Sequence, residues 1–266
     1  MAQANTIYGE TYRHPARATP MVRRIGPADL VQALRKGWQD FLAAPTQLIF
    51  LCLVYPVIGL IAAAMASGAE SLPMLWPLVS GFALVGPVAA LGVYELSRRR
   101  EVGDTVSWID ALEVRHSHAL GSILALGALL FGIFLLWLAA AHLIYQFTLG
   151  GTPAVPVEDF LRYVLTSAEG QRMILWGNLV GFCFAAVVLA LTVVSFPMLL
   201  DRNPGVAVAV RTSLRAVAVN PGTMALWGLI VGGALLLGSL PFFVGLAVVI
   251  PVLGHATWHL YRAVVA

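Results

Sequence analysis

Charge is what this chain has least of. Asp, Glu, Lys and Arg make up 11% of its 266 residues while 59% are hydrophobic, against about 25% charged in an ordinary soluble domain. No soluble globule of this length hides so much apolar surface behind so few charges. Cysteine is scarce too. Cys52 and Cys183 both fall inside apolar runs; they form no metal-spaced cluster, support no disulfide or compartment inference, and read as buried packing residues. The chain also lacks a Gly-rich phosphate loop ending in Lys-Ser/Thr and a nucleophile elbow. With no catalytic constellation, the expectation is a protein that is not an enzyme, with no cofactor and no metal site. Lysine is nearly missing, one residue against fifteen arginines. Those arginines are spread along apolar boundaries and need no nucleic acid to explain them.

What is present is long apolar sequence. A bilayer core takes about 20 apolar residues as helix. The uncharged runs predict an all-α, polytopic membrane protein with six transmembrane helices at about 47–66, 72–96, 120–147, 173–200, 223–238 and 241–262. The last two come from one tract, Thr223 to Tyr261. As a single helix it would run to roughly 58 Å, about twice the hydrocarbon thickness. Gly238-Ser239-Leu240-Pro241 near its middle reads as a hairpin turn. Residues 26–266 form one membrane domain; residues 1–25, with Arg, Pro and small polar residues and no apolar core, read as a disordered cytoplasmic tail rather than a cleaved signal.

The basic residues orient the spans. Fourteen of the sixteen Lys and Arg fall in the N-terminal segment, the second and fourth loops and the C-terminus; only Arg162 and Arg172 fall on the other side. The positive-inside rule then places both termini in the cytoplasm.

The chain also repeats. Ala33-Leu34-Arg35 followed by Pro45 matches Ala209-Val210-Arg211 followed by Pro221 without a gap. PVAALGVYELSR at 87–98 matches PVLGHATWHLYR at 251–262, which pairs Glu95 with His259. A fainter middle copy enters through Trp108 to Leu120 and exits at Leu200-Asp201-Arg202. The implied unit is a cytoplasmic amphipathic helix, a span out and a span back, three times over: parallel pseudo-repeats about an axis along the membrane normal.

The entry helices are expected at about 28–44, 106–118 and 205–219. In the first, Leu30, Leu34, Trp38 and Phe41 form the apolar face; in the third, Val206, Val210, Leu214 and Val217 do. Such helices lie in the headgroup region or pack as struts under the bundle. The membrane-interface set is Arg35, Lys36, Trp38, Arg98, Arg99, Arg100, Arg211 and Arg215. Gly177-x-x-x-Gly181 and Gly228-x-x-x-Gly232 are small-residue seams expected to pack within the monomer.

Few side chains are suited to chemistry. His255 and His259 share a helix face four residues apart. They suit a haem or metal pair, or a structural role near the cytoplasmic end; the structural role is the reading adopted. Glu95 has Arg98 and Arg99 at i+3 and i+4 to neutralise it locally. The alternative is that pseudo-symmetry gathers Glu95, His255, His259 and Asp201 into a functional ring at the cytoplasmic face. His142 lies near the outer end of its span, and His116 and His118 lie in a cytoplasmic loop.

The stretches ADLVQALRKGWQDFLAAP at 28–45, GFALVGPVAALGVYELSRRREVG at 81–103, SFPMLLDR at 195–202 and PVLGHATWHLYRAVV at 251–265 resemble a bacterial family of predicted integral membrane proteins, domain of unknown function 2189. Some relatives carry a name likening them to cytochrome c oxidase subunit I. The resemblance implies a multi-pass protein of the bacterial inner membrane and brings no activity with it. Six helices carrying His142, His255 and His259 at different depths do not supply the oxidase's haem and copper ligands. Two functions remain open: a non-catalytic accessory, scaffold or assembly protein, associated with the respiratory chain or forming homo-oligomers, and a transporter or channel for a small or lipophilic solute. The partner common to both is the lipid bilayer.

Overall fold

The computed structural model describes residues 20–44, 72–150, 157–240 and 243–266, and these are helical almost throughout. The predicted span at 47–66 and residues 1–19 lie outside the described residues.

Helix α1 (Pro27–Ala43) starts where Pro27 supplies a preformed N1 position and the Asp29 carboxylate accepts from the Gly26 N–H at 2.7 Å. The second predicted span is two helices, α2 (Leu72–Ala89) and α3 (Leu91–Glu101). The break follows Pro87, which has no N–H to give the preceding turn. A 3₁₀ segment, η1 (Trp108–His116), replaces the expected middle entry helix, opened by the Ser107 N–H donating to Asp110 at 2.7 Å. Helix α4 (Leu120–Leu149) crosses next. The following loop holds an unexpected short helix, α5 (Val157–Thr166). The fourth predicted span is α6 (Ala168–Thr192) and α7 (Ser195–Arg202), separated just before Pro197. Helix α8 (Val206–Val219) precedes α9 (Pro221–Ser239), and α10 (Leu246–Val264) ends the fold. The hairpin turn predicted at 238–241 does end α9, but α10 begins at Leu246 rather than 241.

Three stretches among the described residues are long and apolar enough to cross a membrane: Leu120–Leu149, Ala168–Arg202 and Pro221–Ser239. Their outward faces carry large exposed apolar side chains, such as Leu136, Leu175 and Leu229. In water that surface would be a liability; in lipid it is the expected exterior. Cys183 belongs to this exposed face of α6 and is not a buried packing residue.

Helix α10 is different. Its His255, Ala256, Trp258, Leu260 and Tyr261 are fully enclosed, and protein rather than lipid surrounds them. It packs against α1, α3 and α9. The α1 crossing is very close: a Cβ on Gly37 would sit 2.6 Å from the Ala256 nitrogen. That closeness decides which face of α1 is buried. Leu30, Ala33, Gly37 and Phe41 face the bundle, while Trp38, on the same predicted apolar face, is half exposed. Helix α8 behaves likewise, burying Ala209, Thr212, Ser213 and Ala216 and leaving Leu214 outside. In both helices small side chains mark the contact face, because close backbone approach, not polarity, sets packing here.

The glycine seams are also only half used. Gly181 faces the Trp137 ring and Gly228 faces Leu189, but a Cβ at Gly177 or Gly232 would meet nothing within 4 Å.

The first described residues and the C-terminal end of the chain lie together. Arg23 donates to the Val264 carbonyl at 2.8 Å and Ala266 to the Met21 carbonyl at 3.0 Å. Asn220 bridges this strip to α9, accepting from Ile25 N–H at 2.8 Å and donating to Arg23 carbonyl at 2.9 Å. Met21–Ile25, expected as the end of the disordered tail, are thus held in extended form. The start of α4 lies beside the same corner, since Asn203 donates to the His118 carbonyl and Arg202 to the Ala266 carbonyl.

Candidate functional site

The polar side chains of the bundle collect where α3, α7 and α10 end. Helix α3 supplies Glu95, Ser97, Arg98, Arg99, Arg100 and Glu101 in quick succession, so that adjacent residues point to different neighbours.

Glu95, 4% exposed, is satisfied within its own helix. Arg98 Nε and Nη2 donate to its two oxygens at 2.8 and 2.7 Å, and Arg99 Nε adds a third bond at 2.8 Å. Arg99 also reaches Asp110 of η1 at 3.2 Å. This is the local i+3, i+4 neutralisation legible in the sequence.

His255 and His259 gather instead on Asp40 of α1, which stands one turn past Gly37. The Asp40 Oδ2 accepts from Ser97 Oγ at 2.7 Å and from His259 Nε2 at 2.8 Å, and Arg100 Nε lies 3.0 Å from Oδ1. His255 Nδ1 is 2.7 Å from Ser97 Oγ and 3.9 Å from Asp40. An ionised carboxylate only accepts, so the single Ser97 hydrogen goes to Asp40. His255 must then carry its hydrogen on Nδ1 and donate to Ser97 Oγ. That leaves Nε2 as a bare acceptor, fully buried and without a hydrogen-bond partner among the described residues. Burial works to raise the Asp40 pKa, but the hydrogen bonds from His259 and Ser97 outweigh it and hold the carboxyl below its ordinary 3.8.

Asp201 makes a third group. It accepts from Tyr261 Oη at 2.6 Å and pairs with Arg202 at 3.2 Å and Arg262 at 3.3 Å. Arg262 also pairs with Glu101 at 2.9 Å, and Glu101 in turn accepts from the Trp258 indole at 3.0 Å.

The four residues of the anticipated ring are therefore distributed over three centres. Glu95 and Asp201 do share one open depression of about 420 Å³, whose wall also includes Arg98, His116, His118 and Arg202. His255 and His259 do not line it; the α1 crossing occupies their side of α10. Of the interface set, Arg35, Lys36, Trp38, Arg211 and Arg215 are exposed, whereas Arg98, Arg99 and Arg100 are half-buried partners of Glu95 and Asp40. Among the described residues no group of three or more His, Cys, Asp and Glu is placed to hold a metal ion. His142 is exposed on α4 with Gln146 at 3.4 Å.

Sequence reasoning passed over Asp40, Ser97, Glu101 and Tyr261. A signal for Asp40 existed: it falls on the same helical stripe as Ala33 and Gly37, an acid on a face of small residues. Its three donors work chemically as a clamp, tying α1 to α3 and α10. Removing one partner of such a buried charged group costs about 3–5 kcal/mol.

No curated protein and no solved structure matches the chain. Residues 75–201, from within α2 to α7, match the family of predicted integral membrane proteins DUF2189.

Proposed function

We propose that this chain is a non-catalytic scaffold, accessory or assembly protein of a bacterial inner membrane, with six spans in three pseudo-repeats and both termini cytoplasmic. The observation that carries this reading is how the interior polar groups are spent. Ser80 closes on the Pro77 carbonyl and the buried Thr192 on Val188, each within its own helix, while Asn178, bonded to Ile174, lies on the exposed face of α6. Between them the bundle is filled by Leu126, Leu130, Trp227 and Trp258, all essentially fully buried. Among the described residues, a packed core without a polar file offers surfaces rather than a conduit.

The order of packing supports the repeat. The first entry helix, α1, packs on the third exit helix, α10. The second entry, η1, packs on the first exit, α3, and the third, α8, on the second exit, α6 and α7. Each crossing uses a small residue: Gly37 against Ala256, Ala111 against Gly92, and Ser213 accepting from the Val194 N–H. Gly37 and Ser213 are also equivalent positions in the sequence match. Three entry helices each clasping the previous exit make a closed ring, with Asp40 as the added fastening at one joint.

A second reading, transport of a small or lipophilic solute, draws on the depression at Glu95 and Asp201. One experiment separates the two: purification from native membranes in mild detergent at native expression, read by mass spectrometry. Stoichiometric co-purification of other membrane subunits, respiratory-chain subunits among them, supports the scaffold reading. Recovery of this chain alone overturns it and turns attention to solute flux in Glu95→Gln and Asp201→Asn variants.

A further inference from the structure

The unexpected helix α5 stands at the far end of α4 from the C-terminus, roughly 45 Å away along that helix's 30 residues at 1.5 Å each. It is sharply folded back. The chain turns at Ser167, whose hydroxyl accepts from the Gly170 N–H at 3.0 Å. Val164 is buried, and a side chain on Gly170 would collide with the Val164 backbone, so the last turn of α5 is locked onto the first turn of α6. With that register fixed, Leu161 and Leu165, one turn apart, are left 53% and 65% exposed. Asp159 and Arg162 occupy other positions around the helix and are also exposed.

Two exposed leucines on an amphipathic helix need an occupant, and the neighbours identify it. At the adjoining end of α4, Phe147 is 86% exposed; early in α6, Leu175 and Trp176 are 64% and 52% exposed. These belong to the apolar outer faces of two helices long enough to span a bilayer. Helix α5 packs on α6, so its exposed leucines stand beside that lipid-facing surface, with Trp176 as an amphipathic aromatic typical of the headgroup layer. We propose that α5 is a surface anchor lying in the headgroup layer of the membrane face opposite the C-terminus, with Leu161 and Leu165 seated at the acyl boundary. It rests on the reading that α4 and α6 span the bilayer. Its two acids and single arginine make it an anchor by apolar burial, indifferent to anionic lipid.

The test places an environment-sensitive fluorophore on a single cysteine in the full chain carrying Cys52→Ser and Cys183→Ser. The protein is reconstituted in vesicles of phosphatidylcholine and phosphatidylethanolamine. Labels go at Leu161→Cys and Leu165→Cys, with Asp159→Cys as the wet reference and Leu136→Cys as the deep one. The expected result is several-fold stronger quenching at 161 and 165 by lipids spin-labelled near the headgroup than by aqueous iodide, with the reverse at 159. Strong iodide quenching at 161 and 165 overturns the anchor. Shielding from both quenchers also overturns it, because a second protein copy then covers the leucines. If Leu136→Cys is not quenched by lipids spin-labelled near the chain ends, the spanning reading fails and the anchor with it.

Discussion

Replacing Gly37 with alanine should loosen the whole α1 joint, because the glycine and the Asp40 clamp share one crossing. The new methyl carbon would lie 2.6 Å from the Ala256 nitrogen and 2.8 Å from its Cα. Backbone atoms of α10 have no rotamer to yield, so reaching ordinary contact requires the helices to part by about 0.8 Å. Asp40 and His259 each follow the crossing by three residues, and the same movement stretches their 2.8 Å bond toward about 3.6 Å, past useful hydrogen-bond length. Overpacking costs about 1–3 kcal/mol and losing a bond to a charged group about 1.5–3 kcal/mol. The alanine returns about 1 kcal/mol of helix propensity. The net loss is about 1.5–5 kcal/mol, which for a chain of this size is a fall of roughly 3–20 °C in Tm. Thermal unfolding in detergent, followed by tryptophan fluorescence, measures it. Gly177→Ala is the matched control: nothing lies within 4 Å of its Cβ, so its Tm should hold or rise slightly. A Gly37→Ala protein as stable as that control would refute the close crossing and the clamp built on it. So would strict additivity with Asp40→Ala, since residues sharing one joint should couple.

Further outcomes follow from the same contacts. Asp40 has a folded pKa below its ordinary 3.8, so its stabilisation is complete above that value and is lost as pH falls through the lowered folded value. Tm measured from pH 5 down to 2 should therefore drop less steeply in Asp40→Asn than in the parent, and parallel curves would contradict the assignment. Asn220→Ala frees the Ile25 amide and the Arg23 carbonyl together. At about 1–3 kcal/mol for the lost bonds, the Ile25 amide should exchange with deuterium roughly ten to a hundred times faster while α6 is unchanged. Cys183, exposed on α6, should react in intact vesicles with a membrane-permeant maleimide and resist a charged one. Equal rates with both reagents would remove α6 from the hydrocarbon.

The sequence alone determined whatever depends on composition and short range. Long uncharged runs fix helices of membrane-spanning length, because a backbone without water must bond to itself. The neutralisation of Glu95 by Arg98 and Arg99 needs only the three- and four-residue spacing of one helix. Pro27 and Pro221 stand at helix starts and Pro87 just before a break, for reasons internal to the ring. The tertiary structure alone decided where the remaining polar groups went. Asp40 meets Ser97 and His259 across 57 and 219 residues, and the repeat match had aligned His259 with Glu95, whose own needs are met by its helix. Hydrophobic periodicity caught part of the buried faces of α1 and α8, since Leu30 and Phe41 are buried and Leu34, Val206, Val210 and Val217 pack on the core, but Trp38 and Leu214 lie outside. In water an apolar stripe marks the contact; in a lipid-clad bundle the apolar side chains are equally at home outside. The contact then falls to whichever face, here Ala33 and Gly37 or Ala209 and Ser213, lets two backbones come closest.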